Sequence, residues 1–205
     1  MFEGLTPEEI KAIELELSKL PPEQQGAARK RVESMGADDL KAMFKKSEQC
    51  IFCKIAAKEI PAKVVYEDGD VIAVLDINPA NKGHVLVVPK QHVESFLDLS
   101  DALSKKLITT YKIIAKAVVS AVSADGFNML ENDGKVAGQV VPHVHMHIIP
   151  RHEGDGLSFN WNPKKFSEEE LGALQKEIIS NVKPVKVAPK KPGKIIKIKP
   201  KIPKY

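Results

Sequence analysis

Short runs of apolar and β-branched residues, separated by turn residues, occupy the middle of the chain. They predict strands over residues 63–68, 71–77, 84–89, 126–132 and 143–149. The first two runs are joined through Glu67-Asp68-Gly69-Asp70, a sequence that favours a hairpin turn. Strands grouped in this hairpin manner, with helices set apart from them, predict an α+β fold.

Helical spacing of apolar residues predicts three helices before these strands. Thr6-Pro7-Glu8-Glu9 is typical of a helix start, with Thr6 as the N-cap and Glu9 reaching back to it. The apolar positions are Ile10, Ile13, Leu17 and Leu20 in the first helix, Ala28, Val32 and Met35 in the second, and Leu40, Met43 and Phe44 in a short third. Pro21-Pro22 separates the first two helices, and Gly36 ends the second. So narrow a stripe is too small for independent stability, and we expect these helices to dock on the main domain or on a partner.

Two further helices are predicted within and after the strands. Ser100 is the expected N-cap of a long helix with Leu103, Leu107, Tyr111, Ile114 and Val118 at helical spacing. Ser167 and Glu170 match a capping box for a last helix that carries Leu171, Leu174 and Ile178.

Composition divides the chain into three parts. Residues 1–48 form a helical N-terminal extension, residues 49–180 the main domain, and residues 181–205 a Lys/Pro-rich tail. Residues 183–205 contain nine lysines, five prolines and no acidic residue, which predicts an extended, disordered segment. The formal net charge of +4 comes from this tail, because the rest of the chain has 22 basic against 27 acidic residues.

The sequence argues against a membrane span and against export. No apolar run approaches the roughly 20 residues that cross a bilayer. The N-terminus, MFEGLTPEEI, has early acidic residues and lacks the apolar segment of a secretory signal, so a cytoplasmic location is expected. In that reducing compartment the two cysteines of Cys50-Ile-Phe-Cys53 indicate a metal or redox element rather than a structural disulfide.

The candidate metal ligands are thiols and imidazoles. Cys50 and Cys53 supply two thiolates, and a structural zinc ion needs two more ligands. His92 and one histidine of the segment 143–147 could complete a Cys2His2 site, although from distant parts of the chain. The alternative is a pair of reduced, half-buried thiols.

Three of the six histidines lie within HVHMHIIPR, residues 143–151. In a strand, His143, His145 and His147 would share one face in steps of about 7 Å, with Val144, Met146 and Ile148 on the other. At that spacing each imidazole could act separately on one substrate, or two could bind one metal. A solvated polar strand face is the third alternative.

Two segments could complete a site beside these histidines. The loop of residues 131–142 carries Gly134 and Gly138, which allow backbone N–H groups to approach an anion. Asn132 and Gln139 add neutral donors, although an ordinary long hairpin loop is the alternative. In LDINPANKGH, residues 75–84, Asp76 could accept hydrogen bonds from sugar hydroxyls, but the same residues also favour turns.

Taken in order, these segments resemble the histidine-triad (HIT) family of nucleotide hydrolases and transferases. The resemblance rests on CIFCKI, EIPAKVVYED, LDINPANKGHVLVVPKQHV and GQVVPHVHMHIIPR, and it covers about residues 50–152. It implies a HIT-like fold, in which an antiparallel sheet packs with a long helix and a C-terminal helix. It also implies a homodimer that binds purine nucleotides.

The resemblance implies a role for each site residue. His145 corresponds to the nucleophile, which attacks the α-phosphorus and forms a nucleotidyl-histidine intermediate, and His147 and His84 correspond to its supporting histidines. The implied substrate contacts are Asp76 with the ribose, Ile77 with the base, and Asn132 and Gln139 with phosphate. The implied ligands of a structural zinc ion are Cys50, Cys53, His92 and His143, and no catalytic metal is required.

Two departures from the family pattern bear on the reaction. Many members have Ser or Thr after the glutamine, where this chain has Val140, so a donor near the leaving group is missing. The uridylyltransferase branch has glutamine at the third triad position, where this chain has His147, which favours a hydrolase. Diadenosine polyphosphates and adenosine phosphoramidates are the expected substrate types. The alternatives are an enzyme that removes adenylate from nucleic-acid ends, aided by weak binding of the lysine-rich tail, and a nucleotide sensor with little turnover.

Overall fold

The computed structural model describes residues 5–19 and 22–182 of the chain. Within these ranges the helices and strands, in chain order, are α1 (Pro7–Lys19), α2 (Pro22–Glu33), α3 (Ala37–Gln49), α4 (Ile51–Ala56), β1 (Val64–Glu67), β2 (Val71–Leu75), β3 (Val85–Pro89), α5 (Asp101–Val122), β4 (Gly126–Glu131), β5 (Met146–Arg151) and α6 (Glu168–Asn181). Leu20, Pro21 and the tail predicted over residues 183–205 lie outside the described residues.

The five strands form one sheet in the order β1-β2-β3-β5-β4, and every pairing is antiparallel. The predicted α+β fold with an antiparallel sheet is therefore confirmed. The last strand begins three residues later than predicted, at Met146 instead of His143. Its register pairs His147 with Leu86 of β3 and with Leu130 of β4, so His147 lies on an inner strand of the sheet.

Both faces of the sheet are covered, which explains the near-continuous apolar sequences of β2 and β3. On one face, α5 packs Leu107, Tyr111 and Ile114 against the strands, as its helical spacing predicts. On the other face, a smaller cluster joins Cys50 and Phe52 to a group of strand residues, Ile72, Val74, Leu86 and Val88. This second face carries the candidate chemistry described below.

The N-terminal helices have a small apolar cluster of their own. The expected capping box is present, since the Thr6 N–H donates to Glu9 Oε2 at 2.7 Å and the Glu9 N–H donates to Thr6 Oγ1 at 3.3 Å. Ile13, Leu17 and Leu40 are buried together, which fits the predicted stripe. The prediction of a short third helix is wrong, because α3 has 13 residues and runs as far as Gln49.

Cys50 separates α3 from α4 without any intervening linker. Its N–H donates to the Ser47 carbonyl oxygen at 3.2 Å, and its own carbonyl oxygen accepts from Lys54 N at 3.1 Å. The sequence predictions did not include α4, a helix of only six residues. Because residues three apart share one side of a helix, the C-x-x-C spacing brings the Cys50 and Cys53 thiols together.

The C-terminal helix begins as predicted, but its apolar stripe is open. Ser167 and Glu170 form the capping box. Leu171, Leu174 and Ile178 are each about half exposed, at 46%, 52% and 55%.

The chain divides into two compact units between Leu157 and Ser158, and α6 lies in the second. The boundaries 1–48, 49–180 and 181–205 stay predictions. None of the helices in the described part of the chain is both long and apolar enough to cross a membrane.

Gly83 has a backbone conformation that places the next residue, His84, at the start of β3. Its φ is +88°, and a Cβ atom there would lie 2.8 Å from Val122 Cγ1. We expect Gly83→Ala to lower the free energy of unfolding by about 1–3 kcal/mol, since it adds both backbone strain and a clash. Urea denaturation measures this loss.

Gly126→Ala is the matched control for Gly83→Ala. Nothing lies within 4 Å of a Cβ atom built at Gly126, which is the first residue of β4. The free energy of unfolding of Gly126→Ala should stay within about 0.5 kcal/mol of the wild-type value. Equal losses for the two variants would contradict a special role for the Gly83 conformation.

Candidate active site and metal site

Two of the three clustered histidines, His143 and His145, are buried, and the third, His147, is partly buried. His143 and His145 precede β5 and are 0% and 7% exposed. Val144, Met146 and Ile148 pack into the core beneath α5, as the alternation predicts. The alternative of a solvated polar strand face is therefore wrong for these residues.

The imidazoles of His84, His145 and His147 lie close together, instead of standing in a row along one straight strand. The ring centroids of His145 and His147 are 5.1 Å apart, and so are those of His84 and His147. These separations are shorter than the predicted steps of about 7 Å, because the chain is not yet in the strand at His145. The structure thus brings together the three histidines that the sequence analysis grouped as catalytic.

The contacts of His145 determine which of its ring nitrogens is basic. Nδ1 lies 2.6 Å from the carbonyl oxygen of His143, and a carbonyl oxygen only accepts hydrogen bonds. Nδ1 therefore carries the proton, and Nε2 keeps its lone pair. Burial, with the Phe52 ring centroid at 5.0 Å, lowers the pKa of His145 and favours the neutral imidazole. A neutral imidazole with a free Nε2 is a competent nucleophile.

His84 and His147 form a directed hydrogen-bond chain. The Ala80 N–H donates to His84 Nδ1 at 3.1 Å, so His84 carries its proton on Nε2. That proton lies on the 2.9 Å contact with His147 Nδ1, which leaves the proton of His147 on Nε2. His147 Nε2 is buried and has no hydrogen-bond partner among the described residues. This chain of contacts prepares His147 to donate to an oxygen of a ligand.

Both histidines of this pair are neutral at pH 7. Burial, followed by the charges of His145 and His84, lowers the pKa of His147 to about 4. Burial also lowers the pKa of His84, against the opposing charge of Asp76. The protonated form of His147 therefore contributes little to the site at neutral pH, and its Nε2–H acts as a neutral donor.

Asp76 lies beside this histidine pair, directly after β2. One carboxylate oxygen, Oδ1, accepts from Asn78 N at 2.8 Å, and the other, Oδ2, lies 3.6 Å from His84 Nδ1. Ile77 follows and is 83% exposed. The predicted ribose position therefore lies next to the imidazoles, and the predicted base contact offers an open apolar side chain.

The loop between β4 and β5 has the predicted glycine conformations, but its glutamine is already engaged. Gly134 and Gly138 have φ values of +87° and +96°. Gln139 Oε1 accepts from Gly134 N at 2.8 Å, and its Nε2 donates to the Glu94 carbonyl oxygen at 2.7 Å. Asn132 packs beside Gly138, with its Nδ2 3.7 Å from an ideal Cβ there. In this conformation Gln139 braces the loop, and its contact with phosphate stays a prediction.

Four further side chains lie close together beside the first turn of α4. The ligand atoms of Cys50, Cys53, His92 and His143 all lie within 4.8 Å of one another. The Nδ1 of His143 lies 3.3 Å from Cys50 Sγ and 3.6 Å from Cys53 Sγ, and His92 Nδ1 lies 3.3 Å from Cys53 Sγ. Neighbouring S and N ligands of a tetrahedral zinc ion are about 3.6 Å apart, given Zn–S and Zn–N bonds of about 2.3 and 2.1 Å. The cluster therefore has the size of a tetrahedral zinc site.

The surroundings of these four residues also fit a metal. His143 Nε2 donates to the Pro89 carbonyl oxygen at 2.8 Å, which leaves the Nδ1 lone pair directed at the thiols. The hydrogen bond from Cys53 is the largest influence on Cys50, and it lowers the pKa of that thiol far below its ordinary value. Both cysteines are thiols rather than a disulfide. The residues present can hold a metal ion, with two cysteine sulfurs and two imidazole nitrogens as ligands.

Comparison with known proteins identifies the family. The family model described as the HIT domain matches residues 57–154. An adenosine 5'-monophosphoramidase of Schizosaccharomyces pombe is 41% identical over 135 residues, which cover 65% of this chain and 98% of that protein. The chain belongs to the HIT family. An uncharacterized HIT-like protein of Methanocaldococcus jannaschii is 57% identical to this HIT protein over 109 residues, or 52% of this chain and 82% of that one.

Solved structures share the fold of this HIT protein. A HIT family protein from Bacillus subtilis superposes with a TM-score of 0.63 at 41% identity, over 67% of this chain and 99% of that chain. A zinc-bound histidine triad family protein from Mycobacterium smegmatis superposes with a TM-score of 0.53 at 38% identity, over 65% of this chain and 95% of that chain.

Two residues of this HIT protein that contact the histidines were not singled out as site residues from the sequence. Phe52, between the two cysteines, packs its ring against those of His143 and His145. The Tyr111 hydroxyl donates to the His147 carbonyl oxygen at 2.9 Å and so fixes the strand from the α5 side. The position of Phe52 inside the C-x-x-C motif was an available signal, whereas nothing in the local sequence reveals the long-range bond of Tyr111.

Proposed function

We propose that this HIT protein is a nucleotide hydrolase that cleaves phosphoanhydride or phosphoramidate bonds of purine nucleotides through a nucleotidyl-histidine intermediate. The observation that carries the proposal is the contact of His145 Nδ1 with the His143 carbonyl oxygen, which leaves Nε2 as the basic nitrogen. The name of the Schizosaccharomyces pombe relative, an adenosine 5'-monophosphoramidase, supports the choice of substrate class.

The reaction proceeds in two displacements at one phosphorus atom. In the first, His145 Nε2 attacks the α-phosphorus, a P–N bond forms, and the bond from phosphorus to the leaving group breaks. The leaving group departs with the electron pair of that bond and takes up a proton. In the second, water attacks the same phosphorus and loses a proton to solvent, which balances the proton taken up by the leaving group. The P–N bond to His145 breaks, Nε2 recovers its electron pair, and a nucleoside monophosphate is released. Imidazole is both a good nucleophile and a good leaving group at neutral pH, which suits both steps.

The neighbouring residues hold the substrate for these steps. His147 Nε2–H donates to a phosphate oxygen and so stabilises the charge that develops there. His84 keeps His147 in the required tautomer, because the Ala80 N–H in turn fixes the tautomer of His84. The Asp76 carboxylate accepts from ribose hydroxyls, and the exposed Ile77 covers one side of the base.

The metal has a structural role in this proposal. Cys50, Cys53, His92 and His143 would hold a zinc ion, which supplies a rigid cross-link between α4 and the segment that leads into β5. No step of the proposed reaction requires a metal, because the nucleophile and the donors are protein groups. The zinc-bound relative from Mycobacterium smegmatis supports the choice of ion.

Product analysis with two substrates tests the proposed activity. The full chain is incubated separately with adenosine phosphoramidate and with diadenosine tetraphosphate, and the products are separated by anion-exchange chromatography. We expect AMP to be released from at least one of the two substrates. The ratio of the two rates reports the leaving-group preference. This ratio is of interest because Val140, in the loop of residues 131–142, is 89% exposed, and its side chain offers no hydrogen-bond donor to a leaving group.

A nucleotide sensor is the contrasting outcome of that assay. Tight AMP binding, together with turnover no faster than the uncatalysed reaction for both substrates, would contradict the proposed hydrolase.

The lysine-rich residues 183–205 motivate a second candidate, in which the same chemistry removes adenylate from nucleic-acid ends. The homodimer and the cytoplasmic location stay predictions from the resemblance and the sequence.

A further inference from the structure

Asn81 joins the loop of residues 76–84 to the strand that carries His147. Its Nδ2 donates to the Pro150 carbonyl oxygen at 3.1 Å and to Asp155 Oδ2 at 3.3 Å, and its Oδ1 accepts from Lys82 N at 3.0 Å. Both amide protons and the amide oxygen are thus engaged. The Asn81 backbone carbonyl oxygen also accepts from His84 N at 3.0 Å.

Asp155 is held in place by several strong contacts. Arg151 binds its carboxylate in a bidentate manner, from Nε at 2.7 Å and from Nη2 at 2.9 Å. The backbone N–H groups of His152 and Leu157 donate to the same carboxylate at 3.1 and 3.0 Å. The hydrogen bonds from Arg151 hold the pKa of Asp155 well below its usual range, so it is an anion at any pH of interest. Asn81 therefore binds a rigid, charged acceptor.

The loop between Asp76 and His84 needs such an external fixture. Its ends are closed by one backbone bond, from Asp76 N to the His84 carbonyl oxygen at 3.0 Å. Asn81 contributes the side-chain hydrogen bonds that fix this loop to β5 and to the turn that follows β5. Without them, the middle of the loop would lose its attachment to β5 and to the following turn, and ordering it when a ligand binds would cost affinity.

We propose that Asn81, anchored by Asp155 and Arg151, is a positioning residue that presents Asp76 to the ribose hydroxyls of a bound nucleotide without contacting the nucleotide itself. The role of Asp76 rests on the proposed function. The statement that Asn81 fixes the loop rests on its own hydrogen bonds and does not depend on the proposed function.

A double-mutant cycle on nucleotide binding tests the proposal and does not depend on turnover. Calorimetry would give the Kd of AMP for the wild type, Asn81→Ala, Asp76→Ala and the double variant. We expect Asn81→Ala to weaken AMP binding by about tenfold or more, because a misplaced contact loses most of its value. The double variant should bind AMP within about twofold of Asp76→Ala, because both substitutions remove the same interaction.

Two comparisons separate positioning from a general loss of stability. 2',3'-Dideoxy-AMP lacks the ribose hydroxyls, so wild type and Asn81→Ala should bind it with Kd values within about twofold of each other. Asp68→Asn is the matched control, because Asp68 accepts from the Tyr66 hydroxyl and the N–H groups of Asp70 and Val71 in the β1–β2 turn. It should lower the unfolding midpoint and leave the Kd of AMP unchanged. Asn81→Ser replaces Asn81→Ala if circular dichroism finds the latter unfolded.

Several results would overturn the inference. An AMP affinity of Asn81→Ala equal to that of Asp68→Asn rules out positioning. The same conclusion follows if the losses from Asn81→Ala and Asp76→Ala multiply in the double variant. A wild-type chain that does not bind AMP contradicts the proposed function itself, and the inference is rejected with it.

Discussion

Substitution of His145 by alanine is expected to abolish turnover while the fold, the metal content and nucleotide binding persist. The variant lacks the proposed Nε2 nucleophile, and the other two imidazoles of the cluster are not placed to replace it. His84 Nε2 and His147 Nδ1 share a hydrogen bond of 2.9 Å, and His147 Nε2 carries a proton, so none of these nitrogens offers a free lone pair. We expect kcat to fall by about 10⁴-fold or more, a loss typical of removing a nucleophile.

Steady-state turnover of adenosine phosphoramidate measures this loss, and mass spectrometry of protein quenched with denaturant at alkaline pH, where a P–N bond survives, detects the adduct directly. The wild type should carry one nucleotidyl group during turnover, and His145→Ala should carry none. His152→Ala is the matched control, because His152 is the one histidine that the structure places in neither cluster, and it should retain wild-type kcat. Turnover by His145→Ala within about tenfold of the wild type would exclude the covalent mechanism.

Substitution of His143 by alanine should have the opposite pattern, with a large loss of stability and of bound zinc. His143 is fully buried, and its two ring nitrogens join the Pro89 carbonyl oxygen to the thiols of the cluster. Removing it leaves the two thiols and His92 as an incomplete ligand set, and ligand sets of this kind contribute to folding directly. We expect several kcal/mol of destabilisation, on the order of a 10 °C decrease in Tm.

Metal analysis after gel filtration and thermal denaturation with and without EDTA check this result. EDTA should lower the Tm of the wild type and of His145→Ala, but not that of His143→Ala, which has no zinc to lose. The two variants differ by only two positions in sequence, so each serves as the control for the other. Equal zinc content in wild type and His143→Ala would mean that His143 is not a ligand.

The sequence predicts those features of the structure that depend on neighbouring residues. The capping boxes at Thr6 and Ser167, the N-cap at Ser100 and the hairpin turn at Asp68 each involve partners a few residues apart. The antiparallel pairings of β1 with β2 and of β2 with β3 follow from their short connections. Local chemistry and helical or strand periodicity are sufficient for these features.

The geometry of the histidine cluster depends on distant parts of the chain, and the sequence alone did not predict it. A regular strand would space the imidazoles about 7 Å apart, but the chain enters β5 only at Met146. The tautomers of His84 and His147 depend on the Ala80 N–H and on one contact between residues 63 positions apart. Likewise, the engagement of Gln139 with the Glu94 carbonyl oxygen depends on how the loop closes.

The C-terminal helix marks a different limit of sequence-based prediction. Its capping box and apolar spacing predict a helix that carries Leu171, Leu174 and Ile178, and the helix is present. That side is about half exposed at Leu171, Leu174 and Ile178 in the described part of the chain. Periodicity indicates that a helix has an apolar side, but it contains no information about which surface covers that side.

The junction at Cys50 determines how separable the parts of this protein are. A single residue ends α3, begins α4 and places its thiol in the candidate metal cluster, so no spacer intervenes between the N-terminal helices and the buried centre of the sheet. Domains that are exchanged as modules are usually joined by exposed linkers, where few contacts are lost on cutting. Here a fusion or deletion point at residue 49 or 50 would fall within the metal site. The N-terminal extension is therefore not an interchangeable module, and only a deletion that ends well before Cys50 would leave the metal cluster intact.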